Sequence, residues 1–293
     1  MQKIAFAGLG AMGWPMASRL KEGGIQVLGI DALEQRAQEF NGQAISTEEE
    51  SRYLASCEAL FLMVVNADQV RSLLFEKGVV ESLGQGACIV QMSTISPDDA
   101  AAMSRDVAAV RPDLRYVDAP VSGGVVGARA GELTIMASGA EDALAGCRPV
   151  FEALGKAVYE AGQQPGQGSA MKAVNQLLCG VHIAAAAEAL SLAEKNGIDA
   201  SLMLSMVTGS AASSWMLKDR GPRMIAEPGD VTSVIDIFCK DMGIVCDSAK
   251  ASRAFTPLAE TARQLFVSSS QRGEGQLDDS QLIRTYRLLN GTA

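Results

Sequence analysis

Lys3-Ile-Ala-Phe-Ala-Gly8-Leu-Gly10-Ala-Met-Gly13-Trp14-Pro15-Met-Ala-Ser-Arg-Leu20 decides the fold of the first half of this chain. A short apolar run ends in glycines spaced G-x-G-x-x-G. Apolar residues at helical spacing follow, with Pro15 early enough to sit in the first turn, where its missing N–H breaks no helical bond. The reading is strand, glycine turn, helix. In such a unit the first glycine makes a tight turn, the second lets a pyrophosphate approach the backbone, and the third lets helix and strand pack closely. The helix start then offers N–H groups and a positive dipole end to the phosphates. A glycine-rich hairpin could carry the same glycines, so the context matters. Gln26-Val-Leu-Gly-Ile-Asp31 is a second apolar run, and it closes on a carboxylate about 20 residues past the middle glycine, where a ribose hydroxyl is bound. Asp31 would repel a 2′-phosphate, and Ala32 brings no positive charge to hold one. The expected cofactor is therefore NAD, bound by Gly8, Leu9, Gly10, Ala11, Met12, Gly13 and Asp31.

The alternation continues in Leu60-Phe-Leu-Met-Val-Val65, Ala87-Cys-Ile-Val-Gln91, Arg115-Tyr-Val-Asp118 and Leu133-Thr-Ile-Met-Ala137, with helical stretches at 67–76 and 97–110. Strands alternating with helices imply a parallel sheet covered on both faces. Ligands collect at the carboxyl ends of such strands, which singles out Val65, Asn66, Ser93 and Thr94, each of which could also be an ordinary loop or cap residue. Asp118-Ala-Pro-Val-Ser122-Gly123-Gly124 follows another strand end. Pro120 fixes a turn, Gly123 and Gly124 leave backbone N–H groups unobstructed, and Ser122 adds a hydroxyl. The stretch reads either as a carboxylate seat or as a plain loop.

The chain of 293 residues is long enough for two domains, expected at 1–163 and 164–293. The 25 basic and 34 acidic residues give a net charge of −9, which argues against nucleic acid or an anionic membrane as partner. Six scattered cysteines and a single histidine assemble no metal-ligand set, and they suit reduced thiols in a cytoplasmic protein. The uncharged run up to Arg19 imitates a secretory signal, but its spaced glycines and proline weaken the apolar stretch. Uncharged stretches at 173–187 and 200–217 read as buried helices rather than membrane spans.

From about Pro165 the strand signals stop. Residues 168–196 read as one helix of about 43 Å, stopped by Gly197, with further helices at 201–206, 233–253 and 258–266. Near its start lies Gly166-Gln-Gly-Ser-Ala-Met-Lys172-Ala-Val-Asn175-Gln176. Lys172 and Asn175 are three apart and share a helical face, with Gln176 beside them. A long helix passing from a dinucleotide-binding domain into a helical one suggests a substrate cleft, and helical domains often supply oligomer contacts. His182, the only histidine, sits in the most apolar part of this helix, roughly 15 Å along the axis from Lys172, and reads as a core or interface residue. Proton transfer then falls to a lysine, which is a base at neutral pH only if burial or a neighbouring cation disfavours its charge. Lys240 could supply that cation, or it could pair with Asp236 one turn back.

Together these motifs resemble the β-hydroxyacid dehydrogenase family, which includes 3-hydroxyisobutyrate dehydrogenases and tartronate semialdehyde reductases. The matching pieces are Gly8 to Gly13 with Met16-Ala17, Asp118 to Gly124, Gly166 to Asn175, and Lys240-Asp241, in the family's order. The resemblance implies a Rossmann-type doubly wound α/β domain, a long interdomain helix and an all-α domain. It makes Lys172 the general acid/base, gives Ser122, Gly123 and Asn175 to the substrate, and puts Thr94 and Lys240 against cofactor or substrate. Gly124 and Gln176 are expected beside the substrate, and Val64, Val65 and Asn66 beside the cofactor. The family's loop after the third strand usually carries a proline, whereas this chain has Val65-Asn66-Ala67-Asp68, and Gln176 stands where many members have asparagine. Val64 to Ala67, Gln176 to Ala185, Ser214-Trp-Met216 and Val234 to Phe238 resemble the L-threonate dehydrogenase branch, which oxidises a four-carbon sugar acid at C2 with NAD. A 3-hydroxyisobutyrate dehydrogenase or tartronate semialdehyde (2-hydroxy-3-oxopropionate) reductase activity is the alternative. A dinucleotide-binding module without chemistry is a more distant one. A homodimer or homotetramer is expected, with no nucleic acid, membrane or metal.

Overall fold

The computed structural model describes residues 1–226, 229 and 231–291. Strand β1 (Lys3–Ala7) sends Ile4 and Phe6 into one hydrophobic core and Ala5 and Ala7 into another, and all four are buried. A strand buried on both faces needs this continuous apolar composition. The same holds for β2 (Gln26–Ile30), β3 (Ala59–Leu62), β4 (Cys88–Gln91) and β5 (Arg115–Asp118), which lie parallel in the order β2-β1-β3-β4-β5. Helices α1 (Gly13–Glu22), α2 (Glu34–Asn41), α7 (Gly124–Ala130) and α8 (Glu141–Leu154) put Leu20, Phe40, Ala128 and Phe151 into the first core. The second core takes Leu54, Val70, Val80 and Met103 from α3 (Thr47–Leu54), α4 (Ala67–Arg71), α5 (Val79–Ser82) and α6 (Pro97–Val110). The sheet is thus doubly wound, as the alternation of patterns implied.

The expectation of a wholly parallel sheet fails beyond β5. Strand β7 (Leu133–Gly139) runs antiparallel to β5 and to the two-residue β6 (Val121–Ser122), and β8 (Gly155–Gly162) pairs parallel to β7. Only residues 123–132 separate β6 from β7, short of the dozen or so a parallel crossover requires. β6 is too short to show a pattern, and β8 has one buried residue among partly and fully exposed ones, so neither carried an apolar run to read.

The glycine turn and the strand ends pack on backbone. A Cβ on Gly13 would fall on the Gly8 carbonyl, and one on Gly8, whose φ is +92°, would meet the Met63 carbonyl at the end of β3. The carboxyl ends of β1 and β3 therefore adjoin where the strand order changes direction, the place where open α/β sheets bind ligands.

Helix α9 (Gln167–Lys195) has 29 residues and is displaced by a single position from the stretch read as helical; Gly197, at φ +73°, follows it. The chain divides into compact units at Lys172, inside this helix. In the second unit, α10 (Ala200–Thr208), α11 (Trp215–Ile225), α12 (Ile235–Ser252), α13 (Pro257–Ser269) and α14 (Ile283–Asn290) share a core with the later turns of α9, in which Phe238 and Phe266 stack with ring centroids 5.0 Å apart. Arg220 binds the fully buried Asp279 through both carboxylate oxygens at 2.9 Å. Helix α9 passes the length and hydropathy test for a membrane span, yet half of its most apolar window is buried within the protein.

The start of α9 leaves no room at Gly168. A Cβ there would lie 2.7 Å from the Asp118 carbonyl and closer still to that of Met136. Glycine to alanine inside a helix ordinarily stabilises by about 1 kcal/mol, but overpacking against backbone that cannot move costs roughly 1–3 kcal/mol. Gly168→Ala is therefore predicted to lower the urea midpoint of unfolding, and a raised midpoint would contradict this packing.

Candidate active site

The nucleotide end of the site is built on the glycine turn. Gly10 differs from its neighbours in that a Cβ there would meet no atom within 4 Å, so one face of its backbone is open. α1 starts at Gly13 without a side-chain cap from Met12, which suits first-turn N–H groups meant for a phosphate. Asp31, just past β2, accepts from the Leu9 N–H at 2.7 Å and from the Leu33 N–H at 2.9 Å. Its carboxylate therefore braces the turn itself. Arg36 Nη1 lies 4.0 Å from Asp31, so a positive charge does stand near this carboxylate, four residues beyond the Ala32 that had pointed to none. The open backbone at Gly10, the uncapped helix and the carboxylate fit a dinucleotide.

After β3, Val65 is exposed and its N–H donates to Gln69 Oε1 at 2.9 Å. Asn66 caps α4, its side chain accepting from the Gln69 N–H at 2.9 Å. Ser93 is fully buried, and its hydroxyl accepts from the Val64 N–H at 2.9 Å. Ser93 thus ties the loops after β3 and β4 together, while the neighbouring Thr94 is partly exposed. Ser122 pairs with Thr134 in the sheet, and Gly123 and Gly124 follow at φ +136° and +63°. A Cβ on Gly124 would meet no atom within 4 Å, so that part of the backbone is open.

Lys172 is buried, with only 6% of its surface exposed, on the second turn of α9. The first turn of that helix is held by Asp118, the last residue of β5. One Asp118 oxygen accepts from the Gly166 N–H at 2.9 Å and the Ser169 N–H at 2.8 Å, and the other accepts the Ser169 hydroxyl at 2.8 Å. The Gly168 N–H donates to Ser138 Oγ at 2.9 Å. Burial pushes the Asp118 carboxyl above the usual carboxylate range, opposed by these donors.

In the second unit, Asn175 Nδ2 donates to Gln176 Oε1 at 2.9 Å, and Gln176 Nε2 donates to the buried Asp241 at 2.5 Å. Lys240 Nζ pairs with the other Asp241 oxygen at 2.7 Å. Asp236, the partner expected for Lys240 from helical spacing, receives the Ser270 hydroxyl at 2.6 Å and Gln276 Nε2 at 2.9 Å. His182 lines a cavity of about 280 Å³ with Met203, Val207, Ser213 and Leu217, an apolar setting in keeping with a core or interface role. All six cysteines are free thiols. No group of residues suited to a metal occurs among the described residues.

Asp118, Asp241 and Arg36 went unassigned in the sequence. Asp118 had a signal, a carboxylate closing an apolar strand run that nothing local could satisfy. Asp241 had only its place beside Lys240, and Arg36 looked like an ordinary helix residue.

Residues 3–162 match the family described as the NAD binding domain of 6-phosphogluconate dehydrogenase, and residues 166–286 that described as NAD-binding of NADP-dependent 3-hydroxyisobutyrate dehydrogenase. A protein of Escherichia coli O6:H1 named L-threonate dehydrogenase is 40% identical, over 97% of this chain and 94% of its own. The 2-hydroxy-3-oxopropionate reductase of Escherichia coli K12 is 36% identical, over 98% of each. A crystal structure of 3-hydroxyisobutyrate dehydrogenase from Salmonella typhimurium superposes with a TM-score of 0.87 at 38% identity, covering 97% of this chain and 99% of that one. The chain belongs to the 3-hydroxyisobutyrate dehydrogenase family, NAD-binding oxidoreductases that act on a CH–OH group.

Proposed function

We propose that this protein oxidises a small hydroxy acid with NAD, and that the acid is L-threonate, converted at C2 to 2-oxo-tetronate. The chemistry rests on one observation: a lysine almost wholly removed from water, on a helix anchored to the strand that leads into Ser122–Gly124. The choice of substrate rests on full-length likeness to proteins named L-threonate dehydrogenase. The substrate carboxylate sits on the Ser122 hydroxyl and the Gly123 and Gly124 amides. Lys172 takes the proton of the C2 hydroxyl as the C–O bond becomes a carbonyl. NAD, when bound, accepts the hydride that leaves the same carbon. Asn175 lies one helical turn from Lys172 on the same face, and Asn175, Gln176 and Lys240 are the further residues assigned here to the substrate. Gly8 to Gly13 and Asp31 would hold the dinucleotide, and Val64, Val65, Asn66, Thr94 and Lys240 are the further residues assigned here to it.

The free thiols support a cytoplasmic location. An exposed apolar stripe on α9, Val174, Leu178 and Leu192, with Leu202 and Met206 on α10, supports a homodimer or homotetramer, because exposed apolar patches mark association surfaces.

Purified protein offered NAD and a panel of hydroxy acids should form NADH fastest with L-threonate. Preference for 3-hydroxyisobutyrate would favour that alternative, and no NADH from any acid would favour a module without chemistry. General acid/base groups contribute about 10²–10⁴-fold, so Lys172→Ala should lower kcat by that order with NAD affinity nearly unchanged; normal turnover would remove Lys172 from the role. Asp31→Ala should narrow the preference for NAD over NADP. It should also weaken binding of both, since the Leu9 brace is lost; unchanged selectivity would refute the ribose contact. Leu192→Asp combined with Met206→Asp should lower the mass measured by light scattering, and an unchanged mass would place the interface elsewhere.

A further inference from the structure

We propose that Asp118 is a positioning residue for Lys172: its buried carboxylate fixes the first turn of α9 and thereby sets where the lysine stands relative to the Ser122–Gly124 seat. The inference rests on the general acid/base reading of Lys172.

The first N–H groups of a helix have no partner within it. Five helices here, α3, α4, α6, α10 and α11, meet part of that need with a local side chain. Ser96, for example, accepts from the Asp99 N–H and starts α6, and Ser214 does the same for α11. At α9 the acceptor comes from far away in sequence. Asp118 takes the Gly166 and Ser169 N–H groups and the Ser169 hydroxyl, and Ser138 on β7 takes the Gly168 N–H. Both acceptors are fully buried. Ser169 and Lys172 are three apart, so they lie on one helical face, the lysine a turn further on.

Asp118 also begins the stretch that makes the anion seat. Ala119 and Pro120 lead directly to Val121–Ser122 and to Gly123 and Gly124. One side chain therefore spans the two parts of the machinery that must be in register, the proton acceptor and the carboxylate seat. The glycines around it keep the distance short. Gly166 sits at φ +102°, and a Cβ there would lie 2.7 Å from the Pro97 carbonyl; Gly168 is pressed against the Asp118 backbone. The helix start cannot back away from the strand or slide along it while Asp118 holds it.

Misplacement by about 1 Å can cost on the order of 10²-fold in rate. Asp118→Ala is accordingly expected to lower kcat by about 10²-fold with L-threonate, while NAD affinity measured by fluorescence titration stays unchanged. Ser169→Ala removes one of the bonds and keeps the rest, so it should fold even where Asp118→Ala does not, and should show a smaller fall of the same kind. The decisive readout is a double-mutant cycle. If Asp118 acts through Lys172, adding Asp118→Ala or Ser169→Ala to Lys172→Ala should produce no further loss of rate. Losses that multiply would overturn the proposal, as would wild-type kcat in a folded Asp118→Ala or Ser169→Ala variant, or an effect confined to the KM for NAD. Normal turnover in Lys172→Ala alone would instead sink the acid/base reading. An inactive Lys172→Ala beside a fully active Asp118→Ala would sink only the positioning role.

Discussion

A buried carboxylate and the start of a long helix satisfy each other in this protein, and much of the site depends on that pairing. Asp118 without donors would be costly to bury, and so would the first N–H groups of α9 without acceptors. Charge-assisted hydrogen bonds to backbone N–H are among the stronger ones available. Together they make the junction of strand and helix stiff. Lys172 stands one turn further along the same helix, so what fixes the first turn also fixes where its side chain begins.

Glycine has two separate duties at the ligand-facing edge of the sheet. At Gly13 and Gly168 the requirement is absence of volume, since a Cβ would land on carbonyl oxygens of neighbouring backbone. At Gly10 the surrounding space is open, and the requirement is an unobstructed backbone face. The pattern G-x-G-x-x-G therefore mixes packing residues with a recognition residue, which is why the pattern alone is weak evidence and its setting is strong. The brace from Asp31 to the Leu9 N–H extends the same logic, since a carboxylate just past β2 holds the glycine turn that follows β1.

The first unit was legible because its strands are buried on both faces and so read as unbroken apolar runs. β1, β3 and β4 could hardly be missed, whereas the partly exposed β8 and the two-residue β6 left no such trace. α9 was readable almost to the residue because Gly166 and Gly197 flank it, but the acceptor for its first turn was not, since Asp118 and Ser169 are 51 positions apart. Lys172 and Asn175 could be paired from helix geometry alone. The partner of Lys240 could not, because the spacing that offered Asp236 says nothing of what else surrounds that carboxylate. Ser270 and Gln276 already engage it, and the adjacent Asp241 receives the lysine.

The polar row in the second unit shows how one longer side chain reorganises its surroundings. Gln176 is buried, and its amide joins Asn175 on one side to Asp241 on the other, with Lys240 on the second Asp241 oxygen. The glutamine side chain, one methylene longer than asparagine, carries its amide toward α12. The Lys240 ammonium stands 2.7 Å from the second Asp241 oxygen, and the amide of Asn175 is turned by the acceptor that Gln176 presents. The identity of residue 176 thus sets the orientation of the Asn175 amide and, through Asp241, is linked to Lys240.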